Sequence, residues 1–441
     1  MIPTARRFGV PRHRGTTAHV CSVYPFLAEM GLGERGIYLG TNVLTGGGGF
    51  AYDPFEAYAA GLVTNPNVLV AGEPGMGKSS FVKTFLYRSL GVFGTARDRR
   101  TQTSSARGGG RWVALADPKG EYAPLADVLG LSTIKLHPGG TARLNPLDAG
   151  PDASAIDSDE RARRQIDLVG ALLGQVLRRD PSPLEDAALG WAITTLTERS
   201  DGDQPTLADV AHVLTNPTGE MARRARMEPN DLARAVDALI YALGRLLERS
   251  LRGMFDGTTN VTVDWDGPGL VLDLSVVHHD DDALRLVLLA ATAWLQTILA
   301  RRDGVRRIQV LDEAWRLLGS ERTTRYLQAC WKLCRDYGVA NVAVVHRLSD
   351  LRSQADDGTT TAKVSMGLLA DTQTRVLFRQ SSDQLDDARD LLGLNPTEAE
   401  LLGRLAKGRA LWKVAGRTAV VQHVIATAER TLCNTDARML A

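Results

Sequence analysis

The sequence predicts an α/β fold: a mostly parallel sheet flanked by helices and interrupted by an all-α insertion. Three observations carry this expectation. Short apolar runs alternate with segments of helical apolar spacing, the pattern of a parallel sheet with crossover helices. One such run leads through a glycine-rich turn into a helix near residue 75. From 151 to 260 the spacing is helical only, punctuated by Pro and Gly, and no strand competes.

Residues 1–50 read as a weakly structured arm, basic at first and ending in TGGGGF. NPNVLVAG is a short buried strand, and KSSFVKTFLYRSLG is a helix stopped at Gly91. GTARDRRTQTSSARGGGR, with Arg97, Arg99, Arg100, Arg107 and Arg111, reads as a basic, glycine-rich loop. No aromatic residue is interleaved in it, which favours a solvated loop over a single-strand binding site. WVALADPKGEY is a strand running into a turn, and STIKLHP is the next strand. After the insertion come GLVLDLS, a long apolar helix from Leu284, IQVLDEA, VANVAVVH and TRVLFRQ. RALWKVAG and TAVVQHVI close the chain as a hairpin. The expected organisation is an arm over 1–50, an α/β core over 51–150 and 261–441, and an insertion over 151–260.

Composition narrows the function classes. A chain of 441 residues suggests two or three structural units. Lys and Arg number 52 against 51 Asp and Glu, so no protein-wide charge grips nucleic acid, although a local patch is compatible. Nearly all the basic residues are arginine, which makes each lysine more informative. The four cysteines, Cys21, Cys330, Cys334 and Cys433, form no disulfide framework, and no second ligand pair stands beside Cys330 and Cys334. A reducing, cytoplasmic compartment fits. Arg6, Arg7, Arg12 and Arg14 precede no apolar core, so the N-terminus is not a signal peptide. The apolar run from Leu284 is broken by Gln296 and falls short of the roughly 20 residues that span a bilayer. Any membrane attachment is expected to go through a partner.

The chemistry begins with GEPGMGKSS: Gly72, Glu73, Pro74, Gly75, Met76, Gly77, Lys78, Ser79 and Ser80. It matches G-x-x-x-x-G-K-[ST] between a strand and a helix, the context a P-loop requires. The glycines let backbone N–H groups turn toward phosphate oxygens at a helix N-terminus. Lys78 is expected to reach the β- and γ-phosphates and Ser79 to ligate Mg²⁺. IQVLDEAWRLL then places Asp312 and Glu313 at the end of an apolar strand. Burying carboxylates is costly unless something answers their charge. Asp312 is expected to hold Mg²⁺, and Glu313 to act as general base toward water. The second acid, and the absence of an N-K-x-D base-reading motif, favour ATP over GTP.

With DPKGEY at Asp117–Tyr122, LNPLD at Leu144–Asp148, MFDGTT at Met254–Thr259 and DEAW at Asp312–Trp315, the sequence resembles a known family. It is similar to the VirB4/TraC-type ATPases of conjugation and type IV secretion, within the HerA/FtsK group of RecA-like motors. VLDLS and LLGLNPTEAELLGRLAKGRALWKVAG extend the resemblance to about residues 50–430. It implies a RecA-like core, ATP and Mg²⁺, a hexameric or similar ring, and contact with secretion-channel proteins at the cytoplasmic face of a membrane. It also implies that Asp117 and Glu121 sit near the phosphates. His346 falls where the family often has a γ-phosphate-sensing glutamine. Family members usually carry a large N-terminal domain, whereas about 50 residues precede this motor, so a separate docking chain is expected. Arg375, Arg379 and Arg335 are candidates for an arginine lent to a neighbouring subunit. The alternatives are a DNA-translocating motor of the coupling-protein or HerA/FtsK kind, and a nucleotide-gated scaffold with little turnover.

Overall fold

A computed structural model describes residues 32, 35–44, 46–100, 110–150, 158–199, 204–318, 321–332, 334–346 and 372–433. Its strands are β1 (Ile37–Asn42), β2 (Gly48–Tyr52), β3 (Val68–Ala71), β4 (Arg111–Asp117), β5 (Ser132–Lys135), β6 (Gly269–Asp273), β7 (Arg306–Leu311), β8 (Val339–Val345), β9 (Thr374–Phe378), β10 (Arg409–Val414) and β11 (Arg417–His423). The core helices before the insertion are α1 (Pro54–Ala59), α2 (Lys78–Phe93), α3 (Ala96–Arg100) and α4 (Ala123–Leu129). The insertion contributes α5 (Ser158–Leu177), α6 (Pro183–Arg199), α7 (Leu207–Thr215), α8 (Gly219–Ala225), α9 (Pro229–Ala235) and α10 (Asp237–Arg245). After it come α11 (Asp281–Leu299), α12 (Glu321–Lys332), α13 (Cys334–Tyr337), α14 (Leu385–Leu392), α15 (Pro396–Arg404) and α16 (Arg430–Cys433).

The strands form one eleven-stranded sheet in the order β2-β1-β11-β10-β9-β3-β8-β7-β4-β6-β5. The run from β9 to β5 is parallel, and β10, β11, β1 and β2 extend it antiparallel. β3, β4 and β8 are buried along their whole length, as strands covered on both faces must be. Their side chains alternate between two cores. Val68 and Val70 join α2 through Phe81, Val82 and Phe85 on one face. Leu69 and Ala71 join α11 and the insertion on the other.

Every described helix of the insertion lies between β5 and β6. Local chemistry starts its helices: Thr206 and Asp209 form a reciprocal capping box on α7, and the Thr218 hydroxyl caps α8. α5 carries Leu168, Val169 and Leu172, all buried, into the core shared with α11. α12 crosses α5 at Gly170, where a Cβ would stand 2.1 Å from Arg322 Cζ. Among the described residues α11 is the one helix long and apolar enough to cross a membrane, and 72% of its apolar window is buried inside the fold.

Two expectations are corrected. Residues 37–52 are not an arm outside the core. They form the hairpin β1–β2, and β1 pairs with β11. The partner strand lies at the far end of the chain, so no local pattern announces the pairing. Residues 1–31 lie outside the described residues. The basic loop is also shorter than expected: Ala96–Arg100 is helical and Arg111 opens β4. Arg111 is wholly buried, 3.0 Å from Asp53 Oδ1, with Phe93 and Phe55 rings 3.8 and 4.8 Å from its guanidinium. Arg107 lies outside the described residues.

Candidate nucleotide site

Parallel strands send their carboxyl ends to one edge, and loops at that edge are where α/β sheets bind ligands. The order of the strands therefore orders the side chains. Arg379 follows β9, the P-loop follows β3, His346 follows β8, Asp312 and Glu313 follow β7, and Asp117 ends β4.

The P-loop turns on glycines in the positive-φ region: Gly75 at φ 77° and Gly77 at φ 110°. Gly72 packs so closely on β9 that a Cβ would meet Phe378 Cβ at 2.5 Å. α2 begins after Gly77 with no side-chain cap, which leaves its first N–H groups directed at the loop. Lys78 is buried and donates to Gly72 O and, at 2.8 Å, to Glu73 O. Burial pulls its ammonium pKa down to about 8, against the attraction of Asp312. Ser79 is half-buried in the first turn. Ser80 faces elsewhere, its hydroxyl 3.5 Å from Cys433 O on α16.

Asp312 and Glu313 are each 3% exposed. Asp312 Oδ1 accepts from Glu313 N at 2.9 Å, and Oδ2 lies 3.4 Å from the Tyr122 hydroxyl. Burial, with Glu313 adding to it, pushes the Asp312 carboxyl up to about 6 despite nearby Lys119. Glu313 adopts φ 57°, an uncommon conformation for a residue with a side chain. Its Oε1 contacts Lys119 Nζ and lies 2.8 Å from His346 Nε2, and Arg316 Nε stands 3.6 Å from Oε2. Burial alone would raise this carboxyl, but His346 and Lys119 hold it far below the usual carboxylate range.

DPKGEY lies at the same edge of the sheet. Asp117 is buried and spent on its own turn: Oδ1 accepts from Lys119 N and Glu121 N at 3.2 and 3.1 Å, and Oδ2 from Tyr122 N at 2.9 Å. A carboxylate so occupied shapes the loop and has little left for a phosphate or metal. Gly120, at φ 67°, closes the turn against Ser275. The turn then presents Lys119 to Glu313 and Tyr122 to Asp312. Glu121 is half-exposed near Lys78 and Lys83. Lys119 and Tyr122 lie inside a motif that the sequence displays, yet only the fold gives them partners. The scarcity of lysine was the one signal pointing at Lys119.

The arginines separate. Arg375 donates to Leu392 O at 2.6 Å and Thr372 O at 3.2 Å, which ties it to the end of α14. Arg379 lies beside this chain's own P-loop: its Nε is 3.1 Å from Glu73 Oε2, and Glu73 N donates to Arg379 O at 3.0 Å. Arg335 is exposed on α13, before β8 and so at the opposite edge of the sheet.

Among the described residues no group of three or more His, Cys, Asp or Glu gathers as a metal cage. The donor set suits Mg²⁺ all the same, because that ion is commonly held by one or two carboxylates together with a substrate's phosphates. Asp312, buried with a weak hydroxyl partner, and Ser79 are the protein oxygens that would hold it.

No family model matches the chain, and no curated protein matches it. Solved structures do. The structure of VirB4 of Thermoanaerobacter pseudethanolicus is similar at 21% identity and TM-score 0.69, over 91% of this chain and 100% of that one. The plasmid coupling protein TrwB in complex with ADP and Mg²⁺ is similar at 17% identity and TM-score 0.55, over 83% and 87%. TrwB with a non-hydrolysable ATP analogue gives 18% identity and TM-score 0.54. The chain therefore has the α/β P-loop ATPase fold that these proteins share, with its large, mostly parallel sheet flanked by helices.

Proposed function

We propose that this chain, folded like VirB4, is an ATP-hydrolysing motor that energises a conjugative or type IV-like secretion machine. The observation that carries the proposal is the convergence, at one sheet edge, of a P-loop, a buried metal-seeking Asp312 and a Glu313 held by Lys119 and His346. In this reading Lys78 and the α2 N-terminus bind the phosphates. Ser79 and Asp312 hold Mg²⁺, which supplies charge neutralisation on the phosphates. Glu313 takes the proton of the attacking water, and His346 orients Glu313. Arg379 steadies the P-loop from the same chain. Of the three candidates for an arginine acting in trans, Arg379 stands beside its own P-loop, Arg375 is tied to the end of α14, and Arg335 is exposed. The ring, its channel partners and a location at the cytoplasmic face of a membrane belong to this proposal. TrwB's likeness keeps a second reading, a DNA-translocating motor with the same site.

The test is steady-state ATP hydrolysis over a protein concentration series, with Glu313→Gln as control. Turnover per subunit is expected to rise with concentration and to fall by about 10²–10⁴-fold in the variant while ATP binding persists. Equal inactivity of both proteins would remove Glu313 as base and leave a nucleotide-gated scaffold. Stimulation by single- or double-stranded DNA would favour the second reading.

A further inference from the structure

The DPKGEY turn delivers one charged side chain to Glu313, and it is a cation. Lys119 Nζ contacts Glu313 Oε1 and lies 2.9 Å from His346 Nε2. Its side chain is 25% exposed, whereas that of Glu313 is 3% exposed, so the ammonium covers a buried acid from the open side of the site. Everything behind it is fixed. Asp117 clamps the turn with three backbone bonds, and Gly120 packs on Ser275. Glu313 is set by its positive-φ backbone and by Asp312 Oδ1 on its N–H. The free variable is the flexible stem of Lys119.

We propose that Lys119 is a phosphate-sensing residue, which restrains Glu313 together with His346 and exchanges that contact for the terminal phosphate of a nucleoside triphosphate, releasing Glu313 toward water. This rests on the ATPase reading above. A lysine suits the task better than an arginine. Its ammonium is a compact point charge with three rotatable donors and changes partner without breaking a bidentate fork. A triphosphate carries several negative charges against the single charge of Glu313, so within reach of both the ammonium moves to the phosphate. A diphosphate ends one group short, so Lys119 stays on Glu313. His346 and Arg316 remain at Glu313 after the exchange and keep it oriented. The device ties release of the base to the presence of the bond to be broken.

The experiment is a binding cycle on the full chain. Calorimetric titration with ATPγS and with ADP, in Mg²⁺, compares wild type, Lys119→Ala, Lys119→Gln, Glu313→Gln and the Lys119→Ala/Glu313→Gln pair. Thermal unfolding of each variant checks folding, and the glutamine variant serves if the alanine variant is unstable. Lys119→Ala is expected to weaken ATPγS about ten-fold and ADP less than about two-fold, because a charge-assisted bond to the terminal phosphate is lost. Its kcat at saturating ATP is expected to fall as well. Glu313→Gln is expected to tighten ATPγS, because Lys119 no longer has a competing carboxylate, and this gain is expected to vanish in the double variant. Equal effects on both nucleotides, no effect on either, or a Glu313→Gln gain that survives without Lys119 would each overturn the proposal while leaving the ATPase reading intact. A wild type that binds neither nucleotide would overturn both.

Discussion

At the scale of single residues, the two adjacent acids have been driven in opposite directions. Asp312 is raised to about 6, first by burial and then by Glu313, whereas Glu313 is held low by His346 and Lys119 in spite of its own burial. Environments that split neighbouring carboxyls in this way assign them different work. The split has a consequence for stability. A carboxyl whose folded pKa lies above its ordinary value of 3.8 costs the folded state stability as pH rises through the interval from 3.8 to about 6, and the full cost is present above it. Asp312→Asn is therefore expected to raise the melting temperature by a few degrees at neutral pH. Thermal unfolding from pH 4 to 8 is expected to show that gain shrinking toward the acid end, while Mg²⁺-dependent turnover is lost at all pH values. A variant no more stable than wild type at neutral pH would mean that Asp312 is not the strained group.

At the scale of elements, a buried ion pair joins the residue after β2, at one edge of the sheet, to the start of β4, third from the other edge. Asp53 caps α1 by accepting from Phe55 N and Glu56 N, both at 3.0 Å, and also meets Arg111 at the start of β4. Burial lowers the Arg111 pKa, and Asp53 counters it. Removing one partner strands the other charge, so Arg111→Ala is expected to cost about 3–5 kcal/mol in denaturant unfolding. Arg111→Met with Asp53→Asn is expected to recover part of that loss. Asparagine keeps the cap, methionine keeps contact with Phe55 and Phe93, and no unpaired charge remains. If Arg111→Ala were neutral, the packing of its guanidinium between aromatic rings would be doing nothing for the fold. Arg111 was readable from sequence only as part of a basic, glycine-rich run. Its neighbours in sequence suggested solvent, and its neighbours in space are two phenylalanines and an aspartate.

At the scale of the whole molecule, one sheet sorts the functions. The candidate site lies at the carboxyl edge, α1, α2 and α4 cover one face, and α11 with the insertion covers the other. The apolarity of α11 follows from that position: Leu288, Leu289, Ala290 and Leu295 are buried in the core to which α5 contributes. Replacing residues 151–260 by a flexible linker would bare this surface, and patches of that kind drive association. The truncated chain is expected to bind hydrophobic dye and to sediment as aggregate. A soluble, cooperatively folding product would show that α11 is covered sufficiently by the sheet alone.

Features that a few consecutive residues encode could be read before any fold was known. The strand–glycine turn–helix of the P-loop, the apolar strand ending in Asp312 and Glu313, and the helical texture of the insertion all carry their signal within one turn or one strand. It took the fold to show that residues 37–52 belong to the sheet, that Arg111 is core, that Asp117 shapes a turn and that Lys119 meets Glu313. Only it decided that Arg375 anchors α14 while Arg379 tends its own P-loop. Apart from the Asp117 turn, which is local but invisible in apolar periodicity, these depend on residues that folding brings together from separate parts of the chain. Such pairings leave no period in the sequence, because the energy of a contact depends on distance in space and not on distance along the backbone.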